Sequence, residues 1–326
     1  MRVLVTGSSG FMGLALSEAI ADAGNEVIGF DIKPPPFSDT AWMDKFTFVR
    51  GDIAEIQSFS GQFKRMGITH IVHAAAITPS QKREREAPDI VAAVNIVGAY
   101  RLMLLAADVR PEGIVYLSSI AAYGSAAPES NGCFDEEATH AVPETLYGIS
   151  KLAAERGMQR IAKMNGLNLR VVRLGPVFGA WEHSSGARDI LSPHFQAAQA
   201  AKSGKPCVLP RPFPADWIYS RDAARRIREL LMWPSLNGDL FNLGGGAITS
   251  VADWCQALAT LAHDFAWSID AQSPTIQFPY ANDRPALDNS RIDTSIQSGP
   301  GLTLEEAAKD YWAWLHSHSR LPVGAM

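Results

Sequence analysis

The first strand predicted in this chain runs directly into a turn that contains three glycines. The opening residues, MRVLVTGSSGFMG, place Gly7, Gly10 and Gly13 three apart, after an apolar run and before a helical pattern. Glycine is conformationally costly, so three in one turn indicate that the backbone must pass where a side chain would not fit. A strand, a glycine-rich turn and a helix form a pyrophosphate site at the helix N-terminus. The sequence therefore predicts a dinucleotide site here, with the N–H groups of Phe11 and Met12 facing the phosphates.

Short apolar runs alternate with helical patterns through the first two-thirds of the chain. The runs are rich in Val and Ile and apolar on both faces, as buried parallel strands are. This alternation predicts βαβ units on a doubly wound parallel sheet, an α/β Rossmann fold. We expect an NAD-binding Rossmann domain at 1–175, to which 216–246 returns, and a smaller C-terminal substrate-binding lobe built from 176–215 and 247–326. The predicted strands are 2–7, 26–31, 46–52, 70–76, 113–119 and 169–175, and the predicted helices are 11–23, about 84–109, about 146–165, 188–203 and 302–317.

Charge and composition narrow the class of partner. The 326 residues include 29 Lys and Arg against 34 Asp and Glu, a formal net charge of -5. Phosphate backbones need a basic face, so nucleic acid is not expected as a partner. No apolar run approaches the ~18 residues of a membrane span, so no membrane partner is expected. The three cysteines, Cys133, Cys207 and Cys255, are widely spaced and lack the spacing of metal ligands, so no metal site is expected. Reduced cysteines and an opening strand pattern are typical of a cytoplasmic protein, which is the expected location.

An acidic residue at the end of the second predicted strand selects the cofactor. Asp31 closes EVIGFD, roughly 20 residues after the glycine turn, where a carboxylate binds the ribose hydroxyls of adenosine. The same carboxylate would repel a 2′-phosphate, so NAD is expected rather than NADP, although Lys33 and Arg50 could soften that repulsion. Asp52, in RGDI, suits a hydrogen bond to the adenine amino group.

A tyrosine and a lysine provide a candidate acid–base pair. Tyr147 and Lys151 stand four apart in TLYGISK, which places them on one face of a helix, and Ser119 ends a predicted buried strand. Free tyrosine has a pKa of about 10, and a positive charge ~4 Å away lowers it by up to ~3 units at an effective dielectric of ~20. We expect Tyr147 to accept an alcohol proton while hydride passes to the nicotinamide, with Ser119 polarising the same oxygen.

Together these motifs resemble the extended short-chain dehydrogenases/reductases, the group that contains nucleotide-sugar epimerases and dehydratases. The resemblance extends over nearly the whole chain. It implies a homodimer that pairs two helices of each subunit, here at about 90–107 and 146–164. The matching segments are TGSSGFMG, FD (30–31), GDI (51–53), HAAA (73–76), NIVGAYRLMLLAA (95–107), SSIAAYG (118–124), YGISK (147–151), RLGPVFG (173–179) and DWIYSRDAAR (216–225).

The resemblance also implies the residues of two sites. Ser119, Tyr147 and Lys151 would be catalytic, and Ser119 and Tyr147 would meet the substrate with Thr78, which follows the fourth strand. The predicted cofactor contacts are Gly7, Gly10, Phe11, Met12, Gly13, Asp31, Ile32, Asp52, Ile53, Ala74, Ala75, Ala76, Asn95, Tyr147, Lys151 and Val177.

Departures from the family pattern bear on the reaction. The dehydratases carry an Asp-Glu pair just after the catalytic hydroxyl residue, whereas 120–122 are Ile-Ala-Ala here, so dehydration is not expected. Nucleotide-sugar enzymes usually carry an asparagine where this chain has Pro176 and an arginine where it has Ala215. Neither residue offers a side-chain donor to a diphosphate. Arg211 and Arg284 could compensate for these losses, but the two departures favour a smaller substrate: a free sugar, an aldonic or uronic acid, or another hydroxy acid.

That substrate class resembles the branch containing uronate, erythronate and threonine dehydrogenases. A small anionic substrate needs an arginine for its carboxylate, and Arg188 is the candidate; the alternative is a helix-start arginine paired with Asp189 or solvent. The favoured function is oxidation of a secondary hydroxyl of a small sugar or sugar-acid-like substrate by NAD. Epimerisation of a nucleotide sugar would use the same three catalytic residues. The third hypothesis is a catalytically silent NAD-binding module. Such a module is expected to have lost at least one of the three catalytic residues, and all three are present in this chain.

Overall fold

The computed structural model describes residues 1–36, 40–233, 239–280, 282–296 and 298–318. The end of the predicted substrate-binding lobe, 319–326, lies outside the described residues. The strands are β1 (Arg2–Thr6), β2 (Glu26–Asp31), β3 (Phe46–Arg50), β4 (His70–His73), β5 (Gly113–Ser119), β6 (Cys133–Phe134), β7 (Leu169–Leu174), β8 (Val177–Phe178), β9 (Cys207–Leu209), β10 (Pro214–Ala215), β11 (Ile218–Tyr219), β12 (Asp239–Leu243), β13 (Thr249–Ser250), β14 (Trp267–Ile269) and β15 (Ala286–Leu287).

The helices alternate with the long strands and then continue into the C-terminal part of the chain. The α-helices are α1 (Phe11–Asp22), α2 (Ser60–Met66), α3 (Gln81–Glu86), α4 (Pro88–Ala92), α5 (Gly98–Val109), α6 (Leu146–Asn165), α7 (Pro193–Lys202), α8 (Ser220–Leu231), α9 (Val251–Ala259), α10 (Ser290–Ile296) and α11 (Leu304–Ser317). A π-helical turn, Ala93–Val97, joins α4 to α5, and 3₁₀ turns occupy Ala41–Lys45, Ile53–Phe59 and Ile120–Ala122.

Seven parallel strands form the central sheet, in the order β12-β7-β5-β4-β1-β2-β3. The Rossmann fold predicted from the strand–helix alternation is confirmed. The strand order reverses between β1 and β4, and the carboxyl ends of strands beside such a switch point form the ligand crevice of open α/β sheets. The glycine turn follows β1 at this point, so the fold places the predicted dinucleotide site at the switch.

The predicted strands 26–31 and 113–119 are observed with those bounds, and the others end early. The largest difference is at 70–76, where β4 ends at His73 because the alanines that follow turn away along the glycine turn. The predicted helix 188–203 begins only at Pro193, after the N-cap Ser192. A residue that precedes proline is disfavoured in the helical conformation, so the helix starts at the proline.

The predicted helix at about 84–109 is broken near its start. Ala87 separates α3 from α4 with φ -145, outside the helical region.

By length and composition, the run Pro88–Val109 is apolar enough to cross a membrane, and 44% of the window that meets this criterion is buried in the fold. The expectation that no stretch of the chain approaches this apolarity is therefore wrong. The buried face of α5, which includes Leu102 and Met103, packs into the core on one side of the sheet.

The chain beyond β7 builds a second group of elements and also returns to the sheet. Short strands pair β9 with β14, β10 with β13 and β8 with β11, and α7, α9 and α11 pack around them. The segment 216–246 contributes α8, which packs on α1, and β12, which pairs in parallel with β7. Helix α11 begins with a capping box between Thr303 and Glu306, close to the predicted start at 302.

The glycine turn leaves no room for a side chain at Gly13. A Cβ there would lie 2.0 Å from the carbonyl oxygen of Gly7 and 2.7 Å from Cα of Ser8, both backbone atoms. We expect Gly13→Ala to lower the free energy of unfolding by roughly 2–3 kcal/mol through overpacking. Gly61→Ala is the matched control, since its Cβ would meet only the Arg65 side chain at 3.6 Å in an exposed helix, where alanine is favoured by up to ~1 kcal/mol. Denaturant titration measures both; equal stability of the two variants would contradict the expectation.

Candidate active site

The glycine turn and the first residues after β4 form one cradle. Gly7 has φ +68, and a Cβ there would fall 2.6 Å from Cα of Ala75, so the two backbones touch. Helix α1 begins at Phe11 behind the N-cap Gly10, which provides no side-chain acceptor, and its first turn holds no acid. The N–H groups of Phe11 and Met12 thus lie at a helix N-terminus that favours an anion. These residues fit the pyrophosphate of a dinucleotide.

Asp31 lies directly beside this cradle. Its Oδ2 accepts the Ser9 N–H at 3.0 Å, and its Oδ1 accepts the N–H of Ile32 at 2.7 Å. Burial raises the pKa of the Asp31 carboxyl, and the backbone N–H groups that it accepts oppose that rise. The end of β2 therefore presents a hydrogen-bonding carboxylate where the ribose of a dinucleotide is expected.

The other predicted adenosine contacts surround the same edge of the sheet. Asp52 caps the turn Ile53–Phe59, since its Oδ1 accepts the Ala54 N–H at 2.8 Å. Ile32 is 54% exposed, whereas Ile53 is buried. The exposed Ile32, beside the glycine turn, offers an apolar surface to an adenine ring. The cofactor contacts of Asp52 and Ile53 stay predictions.

Three hydroxyl groups converge at the carboxyl end of β5. The Tyr147 hydroxyl hydrogen-bonds with Ser119 and with Thr78. Ser119 also accepts the Ala121 N–H at 3.1 Å, which holds its side chain over the turn after β5. Helix α6 starts behind the N-cap Thr145, so Tyr147 lies in its first turn. The structure brings together Ser119, Tyr147 and Thr78 as the sequence predicted.

The acidity of Tyr147 differs from the prediction. Burial raises the pKa of the Tyr147 hydroxyl; the hydrogen bonds with Thr78 and Ser119 and the charges of Arg188 and Arg284 oppose the rise without overcoming it. The predicted fall of the Tyr147 pKa below its ordinary value is therefore wrong for the protein without NAD. Desolvation of the phenolate outweighs the nearby positive charges.

Lys151 lies beneath Tyr147 and points into the protein. Its Nζ donates to the carbonyl oxygen of Leu117 at 2.7 Å and lies 5.0 Å from the ring centroid of Tyr116 and 5.7 Å from that of Tyr147. The side chain is buried, and burial lowers the pKa of the amine to about 7, while Glu155 acts in the opposite direction. An amine that titrates near neutrality can change its charge during a reaction cycle.

Asn95 positions the chain around the site. Its Oδ1 accepts the Ile77 N–H at 2.8 Å, and its Nδ2 donates to the Ile77 carbonyl at 3.0 Å and to Ser150 Oγ at 3.0 Å. These bonds tie the segment after β4 to α6. The side-chain amide is therefore engaged by the protein, and a cofactor contact of Asn95 stays a prediction, as do those of Ala74, Ala76 and the buried Val177.

Arg188 is held by a buried acid rather than by its neighbour. Its Nη1 lies 3.1 Å from Oε1 of Glu182, which is fully buried, while Asp189 pairs with Arg83 at 3.1 Å. Glu182 also accepts the Ser192 N–H at 2.7 Å. The expected alternative, pairing of Arg188 with Asp189, is therefore wrong. The sequence analysis missed Glu182, and its position six residues before Arg188 in a loop carried no periodic signal.

The arginine loop lies against the segment that follows β4. The Thr78 N–H donates to the carbonyl oxygen of Ala187 at 2.8 Å, which brings Arg188 beside Thr78. The side chain of Arg188 is 25% exposed. Its charge acts on the Tyr147 hydroxyl, and Glu182 orients the guanidinium.

A small cleft lies between the turn after β5 and the C-terminal elements. Its lining includes Ile120, Pro176, Ala215 and Arg284. The guanidinium of Arg284 lies 4.0 Å from the ring centroid of Tyr280. The cleft wall is thus largely apolar and carries one guanidinium, that of Arg284.

Comparison with known proteins identifies close relatives in sequence and fold. UDP-glucose 4-epimerase of Mycolicibacterium smegmatis is 26% identical over 94% of this chain and 96% of its own length. UDP-glucuronate 4-epimerase 4 of Arabidopsis thaliana is 30% identical, over 56% of this chain. The chain spans 43% of the length of that plant relative.

Solved structures share the fold at low identity. The crystal structure of UDP-glucuronic acid 4-epimerase from Bacillus cereus in complex with UDP-glucuronic acid and NAD superposes with a TM-score of 0.79, covering 97% of this chain and 99% of the other at 20% identity. The model of the NAD dependent epimerase/dehydratase family matches residues 3–244. With the glycine cradle, Asp31 and the Ser119–Tyr147–Lys151 arrangement in place, the chain belongs to the NAD-dependent epimerase/dehydratase family, enzymes of the extended short-chain dehydrogenase/reductase type whose cofactor is NAD.

Proposed function

We propose that this protein is a dehydrogenase that oxidises a secondary hydroxyl of a small anionic sugar derivative, such as an aldonate or uronate. The observation that carries the proposal is that the charges of two arginines, Arg188 and Arg284, act on the Tyr147 hydroxyl. Arg284 lines the cleft, and Arg188 follows Ala187, whose carbonyl oxygen accepts the Thr78 N–H. A guanidinium binds a carboxylate through paired N–H donors, so these side chains suit an acid whose hydroxyl lies at Tyr147.

The lining of the cleft supports a substrate without a diphosphate. Pro176 and Ala215 line it and add no side-chain donor that would hold a diphosphate. Asp216 is engaged by the Gly246 and Leu287 N–H groups, at 2.9 Å and 3.1 Å, so it acts within the fold rather than on the substrate.

The residues around Tyr147 can perform the proton transfer. NAD, when bound, supplies the hydride acceptor. In its deprotonated form, the Tyr147 oxygen takes the proton of the substrate hydroxyl, and the hydrogen bonds with Ser119 and Thr78 stabilise the negative charge that this oxygen carries before the transfer. Lys151 holds a proton beneath Tyr147, and its carbonyl contact with Leu117 fixes the direction of its amine. The apolar residues 120–122 provide no acid or base that would expel water.

A second candidate is 4-epimerisation of a nucleotide sugar, and two arginines favour it. Arg211 Nη2 and Arg284 Nη1 are buried and have no hydrogen-bond partner among the residues described. A diphosphate would supply acceptors to both. The relatives named as UDP-glucose and UDP-glucuronate 4-epimerases belong to this reaction class. An epimerase would return the hydride to its own substrate, so no NADH would accumulate.

The substrate assignment predicts the behaviour of Arg188→Lys. Lysine keeps a positive charge beside the buried Glu182 but loses the paired donors of the guanidinium. We expect KM for an aldonate or uronate to rise about tenfold or more, and KM for a neutral analogue to stay unchanged, since a charged hydrogen bond is worth about 1.5–3 kcal/mol. NADH absorbance with purified protein measures both.

Arg83→Gln is the matched control. Arg83 pairs with Asp189, the neighbour of Arg188, so its loss should not raise KM for the acidic substrate more than KM for the neutral analogue. Net NADH from a small acid supports the dehydrogenase. Conversion of a UDP-sugar to its epimer without net NADH would replace it by the second candidate.

The proton acceptor is tested by Tyr147→Phe. The phenyl ring fills the same space, so NAD affinity, measured by calorimetry, should stay within about twofold. Turnover should fall by about 10³-fold or more, because no other group hydrogen-bonded by both Ser119 and Thr78 can accept the proton. A variant that keeps a tenth of the activity would exclude Tyr147 as the base.

We infer that two copies pair through α5 and α6. Val97, Leu104, Ile149 and Met164 expose 42%, 43%, 46% and 68% of their surfaces on or beside these helices. Such apolar side chains are covered when helices of two subunits pack together. Sedimentation velocity of the native chain should give a dimer near 70 kDa, twice 35.3 kDa, and Leu104→Glu should shift it to the monomer. A monomeric native chain at micromolar concentration would contradict the inference.

A further inference from the structure

A third side chain lies on the face of α6 that carries Tyr147 and Lys151. Glu155 follows Lys151 by four residues and is 1% exposed. Its two carboxylate oxygens accept Arg173 Nε at 3.1 Å and Arg173 Nη2 at 2.7 Å. Its Oε1 also accepts the hydroxyl of Ser118. A carboxylate so deeply buried is tolerated because both oxygens are engaged by donors, one of them charged.

The three side chains come from three elements, α6, β5 and β7, that pack against one another. Ser118 lies on β5, directly before Ser119, and Arg173 lies opposite Ser118 in the parallel register of β5 and β7. Glu155 therefore attaches α6 to both strands. The attachment lies one residue from Ser119 and one helical turn from Lys151, so it determines the separation of the strand that carries Ser119 from the helix that carries Tyr147.

Other ionisable groups face this cluster from the neighbouring elements. On the Lys151 side these are Tyr116 of β5, whose ring centroid lies 5.0 Å from the amine, and His73 of β4, whose pKa burial and Lys151 lower to about 3. On the far side, Tyr123 lies 4.3 Å below the guanidinium of Arg173 and donates to Asn242. Tyr116 and His73 are neutral near pH 7, so the negative charge that acts on Lys151 is that of Glu155.

We propose that Glu155 is a positioning residue for the hydride-transfer reaction: through Ser118 and Arg173 it holds α6 at the carboxyl end of β5, and its charge keeps the Lys151 amine protonated beneath Tyr147. It touches neither substrate nor cofactor. The proposal depends on the family's hydride transfer and not on the substrate, so it stands for a dehydrogenase and for an epimerase.

The sign of the charge effect follows from the burial of Lys151. Burial favours the neutral amine, and the Glu155 carboxylate favours the cation, which leaves the pKa of Lys151 at about 7. Removal of the carboxylate must lower that pKa further, so the cation would be lost at a lower pH. A neutral Lys151 stabilises the tyrosinate less, so the pKa of Tyr147 would rise at the same time.

The test compares three changes at this cluster in the NAD-saturated protein. Glu155→Gln keeps the shape and removes the charge. The double variant, Glu155→Leu with Arg173→Met, removes both buried charges. Replacing a buried ion pair by apolar side chains of similar volume is often neutral or stabilising, so the double variant should keep its fold. Ser118→Ala removes one hydrogen bond and leaves the ion pair. Asp310→Asn is the control, because Asp310 pairs with Arg221 at 2.7 Å far along the chain from Tyr147.

The pH dependence of kcat/KM separates a positioning role from a stabilising one. We expect Glu155→Gln and the double variant to shift the limb that reports Lys151 to lower pH by about one unit, a tenfold loss of the protonated amine above that pH, even where the double variant melts at the native temperature. Ser118→Ala should shift this limb less, in the same direction, and Asp310→Asn should leave it in place. A double variant with native stability and a native profile would overturn the proposal.

A measurement without turnover keeps the test independent of the substrate. The ¹³Cε resonance of Lys151, assigned by its absence in Lys151→Met, reports the titration of the amine in the free protein. Its midpoint should fall in Glu155→Gln and in the double variant. An unchanged midpoint in the folded double variant would overturn the charge effect, whatever the substrate assays show.

Discussion

The packing of α6 across the ends of β5 and β7 is the constraint on which the rest of the site depends. Ser119 belongs to a strand, whereas Tyr147 and Lys151 belong to a helix almost thirty residues further on. The Tyr147 hydroxyl meets Ser119, and the Lys151 amine reaches the Leu117 carbonyl, only if the helix stays at one height against the sheet. The buried Glu155–Arg173 pair, with both side chains 2% exposed, and the Asn95 amide fix that height from two sides.

Burial dominates the electrostatics of the site. It raises the pKa of Tyr147 and Asp31 and lowers that of Lys151, in each case against hydrogen bonds or charges that act in the opposite direction. A charge-pair argument from sequence spacing alone missed this balance, because it contained no desolvation. The same balance explains why Arg188 needs the buried Glu182: a guanidinium is directed most firmly by a carboxylate that cannot turn toward water.

Much of the fold could be read from the sequence, because parallel strands buried on both faces leave long apolar runs. β2 and β5 were predicted with their observed bounds, and the glycine turn marked the dinucleotide site. The short strands β8–β10 and β13–β15 could not be predicted, since two or three residues carry no period. The breaks around α3 and α4 were also missed, because their sequence stays helical in pattern on both sides of Ala87.

The sequence by itself determined the family and the cofactor class, since both are carried by local motifs whose residues are close in the chain. From the same kind of motif it predicted the sites: the glycine turn and Asp31 for NAD, and the Tyr147–Lys151 helix for proton transfer. Only the tertiary structure decided which side chains act on those motifs. Glu155 reaches Arg173 and Ser118, and Glu182 reaches Arg188, through space rather than through periodicity. The physical reason is that pairing between buried charges depends on distance and desolvation, and both are set only when distant segments pack together.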